Sequence, residues 1–209
     1  MFLDELPEFH RDVMESLRAP LEDGKVTVSR VSGTVTYPSR ITLVAAMNPC
    51  ACGFYGHPTK PCSCSENSVR RYLNRISGPM LDRLDLHVEV PAVDYKSLSD
   101  DKKSESSAEI RERVNKARKI QQQRYKGTGI NCNAQLTPAM LKKYCKLEPD
   151  AEELLKQSFE RLGLSARAYD RILKVARTIA DLQECENIKK EHIFASIRFR
   201  TLDRKYWNE

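Results

Sequence analysis

The apolar stretch at residues 41–46 constrains the fold of this chain more than any other segment. Its sequence is ITLVAA, and Pro38 precedes it. A strand with one solvated face alternates apolar and polar residues, whereas a nearly continuous apolar run is typical of a parallel strand buried on both faces. Phe2 and Leu3 have the character of a second buried strand, which ends at Asp4. We therefore predict an α/β unit that contains parallel strands.

The rest of the first 95 residues shows weaker patterns that complete this unit. Apolar residues recur at helical spacing, a Ser-Gly pair separates two β-rich runs, and Pro91 closes a short apolar segment. The predicted elements are a helix over 8–21 with Phe9, Val13, Leu17 and Leu21 on one face, a β-hairpin over 25–37 that turns at Ser32-Gly33, a helix over 65–75 and a strand over 86–90.

Beyond residue 95 the chain has only helical patterns. Residues 96–106 are polar and serine-rich, which predicts a linker. Ser106 with Glu109 forms a capping box, and Ser165 is a second N-cap candidate. Further helix boundaries are expected at Thr137-Pro138, at Gly163 and near residues 190–200. We predict three segments, namely an α/β unit over 1–95, a linker over 96–106 and an all-helical domain over 107–209.

Polar residues follow the two predicted strands where each one ends. Asp4 and Glu5 follow the first strand, and Asn48 follows the second. Where a metal-bound nucleotide is hydrolysed, one carboxylate holds Mg²⁺ through water and the next polarises the attacking water, which an amide can help to orient. Arg83 and Arg167 are candidates for stabilising a γ-phosphate, because a guanidinium stays charged and binds two oxygens. Surface or salt-bridged arginines are the alternative interpretation of both.

Four cysteines lie close together in one loop. Cys50, Cys52, Cys62 and Cys64 form two C-x-C pairs, and the chain has seven cysteines in all. A loop this short has no core, and a structural zinc bound by four thiolates would supply ordering energy. The spacing within each pair is tighter than in most zinc sites, so reduced or disulfide-bonded thiols and a redox role remain alternatives. Catalytic zinc is not expected, because four cysteines would close the coordination sphere.

The distribution of charge points to an anionic partner. Residues 96–209 carry 25 Lys and Arg against 17 Asp and Glu, whereas residues 1–95 carry 10 against 12. The helix near 107–126 is the most basic segment, and sequence-independent DNA binding would follow from such charges. The alternative is a set of ordinary solvated helix faces, and no aromatic residues for stacking bases accompany this helix. No apolar run approaches the roughly 18 residues that span a bilayer, and we expect a cytoplasmic protein without a membrane partner.

Five stretches of the sequence closely resemble the magnesium-chelatase-like family of AAA+ ATPases. They are spread over most of the length of the chain, and several are specific to this family. The stretches are FLDELPEF at 2–9, PLEDG at 20–24, VAAMNPC at 44–50, ISGPMLDR at 76–83 and LSARAYDR at 164–171.

The resemblance implies a role for each candidate residue. Asp4 and Glu5 would form Walker B, Asn48 would be sensor 1, Arg83 the arginine finger and Arg167 sensor 2, with ATP and Mg²⁺ as cofactors. The fold would be the rear part of an AAA+ core with a helical lid domain, assembled as a homo-hexameric ring. The hairpin resembles an element that projects into the pore of ring helicases, where Lys25 and Arg30 could touch DNA, although a plain solvent-facing hairpin is the alternative.

Two motor functions are compatible with the family, and one feature of the family is missing. The resemblance implies a DNA helicase driving branch migration in natural transformation and recombination, or else a chelatase-type motor that remodels a protein for metal insertion. A non-enzymatic structural or oligomerisation module is a third interpretation. The sequence contains no G-x-x-x-x-G-K-[ST] loop. We therefore expect the natural protein to extend upstream, and we predict no ATPase activity from this chain alone.

Overall fold

The computed structural model describes residues 1–91 and 104–200, which form two compact units. The first unit ends at His87 and the second begins at Val88. Residues 96–103 of the predicted linker and residues 201–209 of the predicted helical domain lie outside the described residues.

The first unit is a mixture of short strands and short helices. Strand β1 pairs in parallel with β4, with Phe2 opposite Val44 and Leu3 opposite Ala45, and β2 pairs with β3 in an antiparallel hairpin. In chain order the elements are β1 (Phe2–Leu3), a 3-10 helix (Leu6–Glu8), α1 (Arg11–Ser16), α2 (Arg18–Asp23), β2 (Lys25–Arg30), β3 (Gly33–Pro38), β4 (Val44–Ala45), α3 (Glu66–Leu73) and α4 (Gly78–Leu81).

The parallel pairing is confirmed, but the prediction that both strand faces are buried is wrong. Leu43 and Ala45 pack against the core of the first unit, whereas Phe2 and Val44 on the other face are 64% and 55% exposed. The reason is that, among the described residues, helices cover only one face of the β1–β4 pair. The strands therefore present apolar side chains on their second face.

The predicted helix over 8–21 is broken in two. Helix α1 ends at Ser16 and α2 begins at Arg18, because Pro20 has no N–H to donate to the carbonyl four residues earlier. The predicted apolar face is also partly wrong, since Phe9 and Val13 are exposed. Leu17 and Leu21 of that face do pack against the core of this unit, whose buried residues are Leu6, Met14, Ile76, Met80 and Leu81.

The hairpin is confirmed, with its turn one residue earlier than predicted. Arg30 pairs with Gly33, so the turn residues are Val31 and Ser32. All residues of both strands are exposed. Hydroxyl groups pair across one face, with Thr27 Oγ1 3.0 Å from Thr36 Oγ1. The hairpin is thus held by its own ladder and not by core packing.

The predicted strand over 86–90 does not form. No strand of the described residues pairs with it, and Leu86, Val88 and Val90 are exposed. A strand depends on hydrogen bonds to a neighbour, so an apolar pattern without a partner remains an irregular segment.

The second unit is all-helical, as predicted. Its helix starts and stops agree with the sequence signals, including the Ser106–Glu109 capping box, the left-handed Gly163 and the Ser165 N-cap. The elements are α5 (Ser107–Arg124), a 3-10 helix (Asn133–Gln135), α6 (Pro138–Tyr144), α7 (Pro149–Leu162), α8 (Ala166–Leu182) and α9 (Lys190–Arg198).

One large core holds the second unit together, with α8 at its centre. Ala176 and Ala180 of α8 are fully buried, as are Ile188 and Ile193 beside them. Alanines at these positions let the neighbouring helices approach closely. None of the helices in the described part of the chain has the length and apolarity to cross a membrane.

Candidate functional site

The carboxyl ends of β1 and β4 bring the first group of predicted site residues to one sheet edge. Because the strands are parallel and in register, Asp4, Glu5 and Asn48 all follow strand ends at the same edge. The pairing continues beyond the strands, since the Leu6 N–H donates to the Ala46 carbonyl at 3.0 Å. All three polar residues are exposed. This edge, called the strand-end site below, thus offers two carboxylates and an amide to solvent.

Glu5 has an unusual backbone conformation at this edge. Its φ of 51° and ψ of 48° lie in the left-handed region, and its N–H donates to Asp4 Oδ1 at 3.0 Å. For a residue with a Cβ this conformation costs roughly 1–2 kcal/mol. It turns the chain out of β1 and into the 3-10 helix within one residue. Strain of this kind is often found where a side chain must be aimed for function.

Tyr72 supports the strand-end site, and the sequence reasoning did not identify it. It lies on the buried side of α3, and its hydroxyl forms a hydrogen bond with the backbone of Asn48. Burial raises the pKa of Tyr72, and the charge of Glu8 raises it further. The spacing of Val69, Tyr72 and Leu73 at i, i+3 and i+4 was the sequence signal for this buried face.

Arg83 is held inside its own unit. Its side chain is only 10% exposed and forms an ion pair with Glu22 of α2. It also donates to the Pro79 carbonyl at 2.6 Å, while its Nε has no hydrogen-bond partner among the described residues. Glu22 lies in the PLEDG stretch, so two of the family-like stretches meet in this pair. The guanidinium of Arg83 is therefore bound by groups of its own unit.

Arg167 lies near the start of α8 in the second unit. Ser165 caps this helix, its hydroxyl accepting from the Ala168 N–H at 3.1 Å, and Arg167 itself is exposed. The helix dipole disfavours a cation at an N-terminus, so the stability of the helix does not explain an arginine at this position. The placement is consistent with a residue that meets an anion.

The four predicted metal ligands come together in a compact cluster. All four sulfurs lie within 4.8 Å of one another, and the Cys50 Sγ is 3.3 Å from the Cys52 Sγ and 3.7 Å from the Cys62 Sγ. Zinc–sulfur bonds of about 2.3 Å place the sulfurs of a tetrahedral site roughly 3.8 Å apart. Cys64 completes the set, and Cys50 is fully buried. The cluster could therefore hold a metal ion.

The protonation of these thiols reflects their crowding. Hydrogen bonds from the backbones of Phe54 and Ser63 lower the pKa of Cys52 to about 5. A backbone hydrogen bond from Cys64 favours the Cys62 thiolate, but burial and the neighbouring sulfurs outweigh it and raise the pKa of Cys62 to about 12. The cluster thus holds the Cys52 thiolate readily, and a cation would have to displace protons from Cys62 and Cys64, whose pKa values are raised.

The basic helix α5 is less available to a partner than its sequence suggests. Two guanidinium nitrogens of Arg124 donate to the buried Asp181 carboxylate at 2.9 and 2.5 Å, so Arg124 is a structural residue. Two further basic residues form ion pairs, Arg113 with Glu105 and Lys116 with Glu112. The residues of this segment that are exposed or half-exposed and form no ion pair within the described residues are Arg111, Arg118, Lys119 and Lys126.

Comparison with protein families matches both units of the chain. Residues 1–98 match the family described as magnesium chelatase, subunit ChlI, and residues 104–200 match the family described as magnesium chelatase, subunit ChlI C-terminal.

Similar proteins of known name extend this finding. The chain is 44% identical to competence protein ComM of Haemophilus influenzae and 43% identical to the uncharacterized protein YifB of Salmonella typhimurium, in each case over 206 residues. The alignments cover 98% of this chain and 39% of each relative, so the chain spans about two fifths of their length. The chain belongs to the magnesium-chelatase-like family of AAA+ ATPases.

Proposed function

We propose that this chain is the rear part of an ATP-dependent AAA+ motor, from Walker B to the helical lid. The observation that carries the proposal is the parallel register of β1 and β4, which brings Asp4, Glu5 and Asn48 to one edge. Mg²⁺ bound with ATP would supply charge neutralisation at the phosphates. Asp4 would hold the ion through water, Glu5 would polarise the attacking water, and Asn48 would orient that water.

The two arginines would act from other elements of the motor. Arg83 would serve as the arginine finger on the nucleotide of a neighbouring subunit in a homo-hexameric ring, and Arg167 as sensor 2. Both would stabilise charge on the γ-phosphate, for which a guanidinium is suited. The ion pair with Glu22 would hold Arg83 in place until such a subunit is bound.

The chain alone is predicted to be inactive. It has no G-x-x-x-x-G-K-[ST] loop, and each charge-assisted bond to phosphate that this loop would make is worth on the order of 1.5–3 kcal/mol. A chimera tests the proposal by joining the front part of the Haemophilus influenzae relative to this chain. The chimera should hydrolyse ATP, and the Glu5→Gln variant should lower turnover by roughly 100-fold or more.

The matched control is Asp12→Asn, which removes an exposed carboxylate of α1 outside the strand-end site. It should leave turnover unchanged. Turnover by the unextended chain that Glu5→Gln abolishes would contradict the predicted inactivity. A chimera whose turnover is insensitive to Glu5→Gln would contradict the assignment of the site.

The proposed substrate of the motor is DNA. The exposed basic residues of α5 and the exposed hairpin with Lys25 and Arg30 favour an anionic polymer. The name of the Haemophilus influenzae relative, a competence protein, suggests a role in natural transformation, where a helicase would drive branch migration. This role places the protein in the cytoplasm.

A gel shift against salt concentration tests the DNA partner. Single-stranded DNA should be retarded at low salt, and removing Arg118 and Lys119 together should reduce the salt slope by about 1.4. Lys142→Glu on α6 is the control, since Lys142 is exposed and lies on another helix. Absence of binding at low salt would instead favour the chelatase-type motor that acts on a protein.

We also propose that the cysteine cluster holds a structural zinc ion. The sulfur separations and the buried Cys50 favour a closed tetrahedral site. Elemental analysis of protein purified without added metal should give one zinc per chain. A substoichiometric zinc content would contradict this assignment and favour free or oxidised thiols.

A further inference from the structure

The loop between the two cysteine pairs carries exposed aromatic side chains that no role above explains. We propose that its tip, residues 53–60, is a contact for an unpaired base of single-stranded DNA, with Phe54 and Tyr55 as the stacking surface. The proposal rests on the proposed DNA partner. It assigns base contacts to a different element from the basic helix and the hairpin.

The loop tip is held in one conformation by its own hydrogen bonds. The Gly53 N–H donates to the Cys50 carbonyl at 3.0 Å, and the His57 N–H donates to the Phe54 carbonyl at 3.0 Å. Gly56 has a φ of 75°, which the turn between Phe54 and His57 requires and which a side chain would strain. A hydrogen bond from the backbone of Phe54 also reaches the Cys52 sulfur.

The far side of the loop is equally fixed. Nδ1 of His57 accepts from the N–H groups of Thr59 and Lys60 at 3.2 and 3.0 Å. The ring of His57 meets that of Phe54 edge-on, with 5.8 Å between centroids. The aromatic surface is therefore pre-organised, which lowers the entropic cost of binding a ligand.

The two rings face solvent. Phe54 and Tyr55 are 37% and 42% exposed, and neither belongs to the core that surrounds Cys50. Stacking on such rings is a sequence-tolerant way to hold a base, because every base has an aromatic face.

The charge around the rings suits a phosphate chain. Lys60 Nζ lies 5.2 Å from the centroid of the Phe54 ring, and residues 50–65 contain no Asp or Glu. A zinc ion with four thiolates would carry two negative charges, and Lys60 places a positive charge between this cluster's loop and a ligand on the rings. Two exposed rings are too small an apolar surface for a stable protein interface, which needs about 1,000 Å². A nucleic acid fits these features better than a protein.

Fluorescence anisotropy with the full chain and a labelled oligo(dT) of about 20 nucleotides tests the proposal. The Phe54→Ala/Tyr55→Ala double variant should bind roughly tenfold more weakly or worse. An abasic oligonucleotide of the same length should bind the unmodified chain and the double variant equally. Phe194→Ala removes a similarly exposed ring from α9 and should not change the affinity.

Folding of the variant is checked in the same samples by zinc content and melting temperature, both of which should be unchanged. A Tyr55→Trp variant in a Trp207→Phe background keeps a stacking ring, and its fluorescence should be quenched by oligo(dT).

If the unmodified chain binds oligo(dT) and the double variant binds equally well, the proposed loop contact is wrong while the proposed DNA partner stands. If the double variant binds oligo(dT) as well as the unmodified chain does but self-associates less, the loop contacts protein. If the unmodified chain does not bind DNA at low salt, both proposals fail.

Discussion

The two units of this chain satisfy their buried groups in different ways. In the second unit Arg177 is fully buried, and its donors reach Asp181 and the carbonyls of Cys185 and Glu186. In the first unit the cysteine cluster holds four close thiols, and one face of the β1–β4 pair exposes Phe2 and Val44. The second unit therefore supplies the hydrogen-bond partners of its buried Arg177. The first unit is therefore expected to become more ordered when a metal binds the cysteine cluster and when the exposed face of the β1–β4 pair is covered.

Metal removal should give the largest difference in response between the two units. Structural zinc contributes on the order of 10 kcal/mol in small zinc domains, so chelation should abolish amide-exchange protection around α3 and residues 50–64. Helix α3 should respond because Val69, Tyr72 and Leu73 pack against Cys50. Hydrogen exchange followed by mass spectrometry would measure the loss. Equal loss in the second unit, or no loss in either, would remove the contrast.

The buried ion network of the second unit should give the next largest effect. Asp181→Ala would leave two cations, Arg124 and Arg177, without their carboxylate, which costs about 3–5 kcal/mol in a buried network. Urea unfolding followed by circular dichroism at 222 nm would measure it. The control Glu112→Ala removes an exposed partner of Lys116 and should change stability by less than about 0.5 kcal/mol. Similar costs for both variants would show that the network is not essential.

Acid should weaken the second unit through His192, to a smaller extent. Burial lowers the pKa of His192 below its ordinary 6.5, because the charged ring would lose its hydration. The Nδ1 atom of the ring accepts from the Lys189 N–H at the start of α9. The unfolded chain then binds the proton more readily, so stability is complete above pH 6.5 and falls as the pH drops below it. The expected loss is at most about 1.4 kcal/mol per unit of pKa shift. Thermal melts between pH 5 and pH 8 would show the slope, and His192→Gln should remove it.

Two strained glutamates give the smallest stability effect and the sharpest comparison. Glu5 in the first unit and Glu184 in the second are both exposed and left-handed, with φ of 51° and 57°. Replacing either with glycine should stabilise its unit by about 0.5–1 kcal/mol, as judged by urea unfolding. In the chimera Glu5→Gly should abolish ATP turnover, whereas Glu184→Gly should not. Equal turnover in both variants would contradict the catalytic role proposed for the Glu5 carboxylate.

Local signals explain what the sequence could predict. The capping box at Ser106 and Glu109 and the stop at Gly163 involve residues within one helical turn, so their pattern alone specifies them. The parallel pairing of β1 with β4 was also accessible, because the polar residues after each strand marked a shared edge. Family resemblance added the roles of Arg83 and Arg167, which remain predictions.

Contacts between residues far apart in the sequence explain what the sequence could not predict. Arg124 belongs to the basic segment for which DNA binding was predicted, but its partner Asp181 lies 57 residues away. The apolar segment over 86–90 has strand character without a neighbour to pair with among the described residues. Tyr72 was missed because its contact with Asn48 depends on how α3 packs beside β4. Each case depends on tertiary contacts that periodicity does not record.

The ion pair between Arg83 and Glu22 has a consequence for how a ring of such subunits would discriminate among nucleotides. An incoming phosphate would have to compete with a carboxylate that already holds the guanidinium, so binding would become an exchange of anions. A phosphate that reaches close to the guanidinium would win this exchange more readily than one held farther away, because the attraction between two charges falls with their separation. Glu22 would thereby set how strongly a phosphate must attract Arg83 before the arginine leaves the carboxylate of its own subunit.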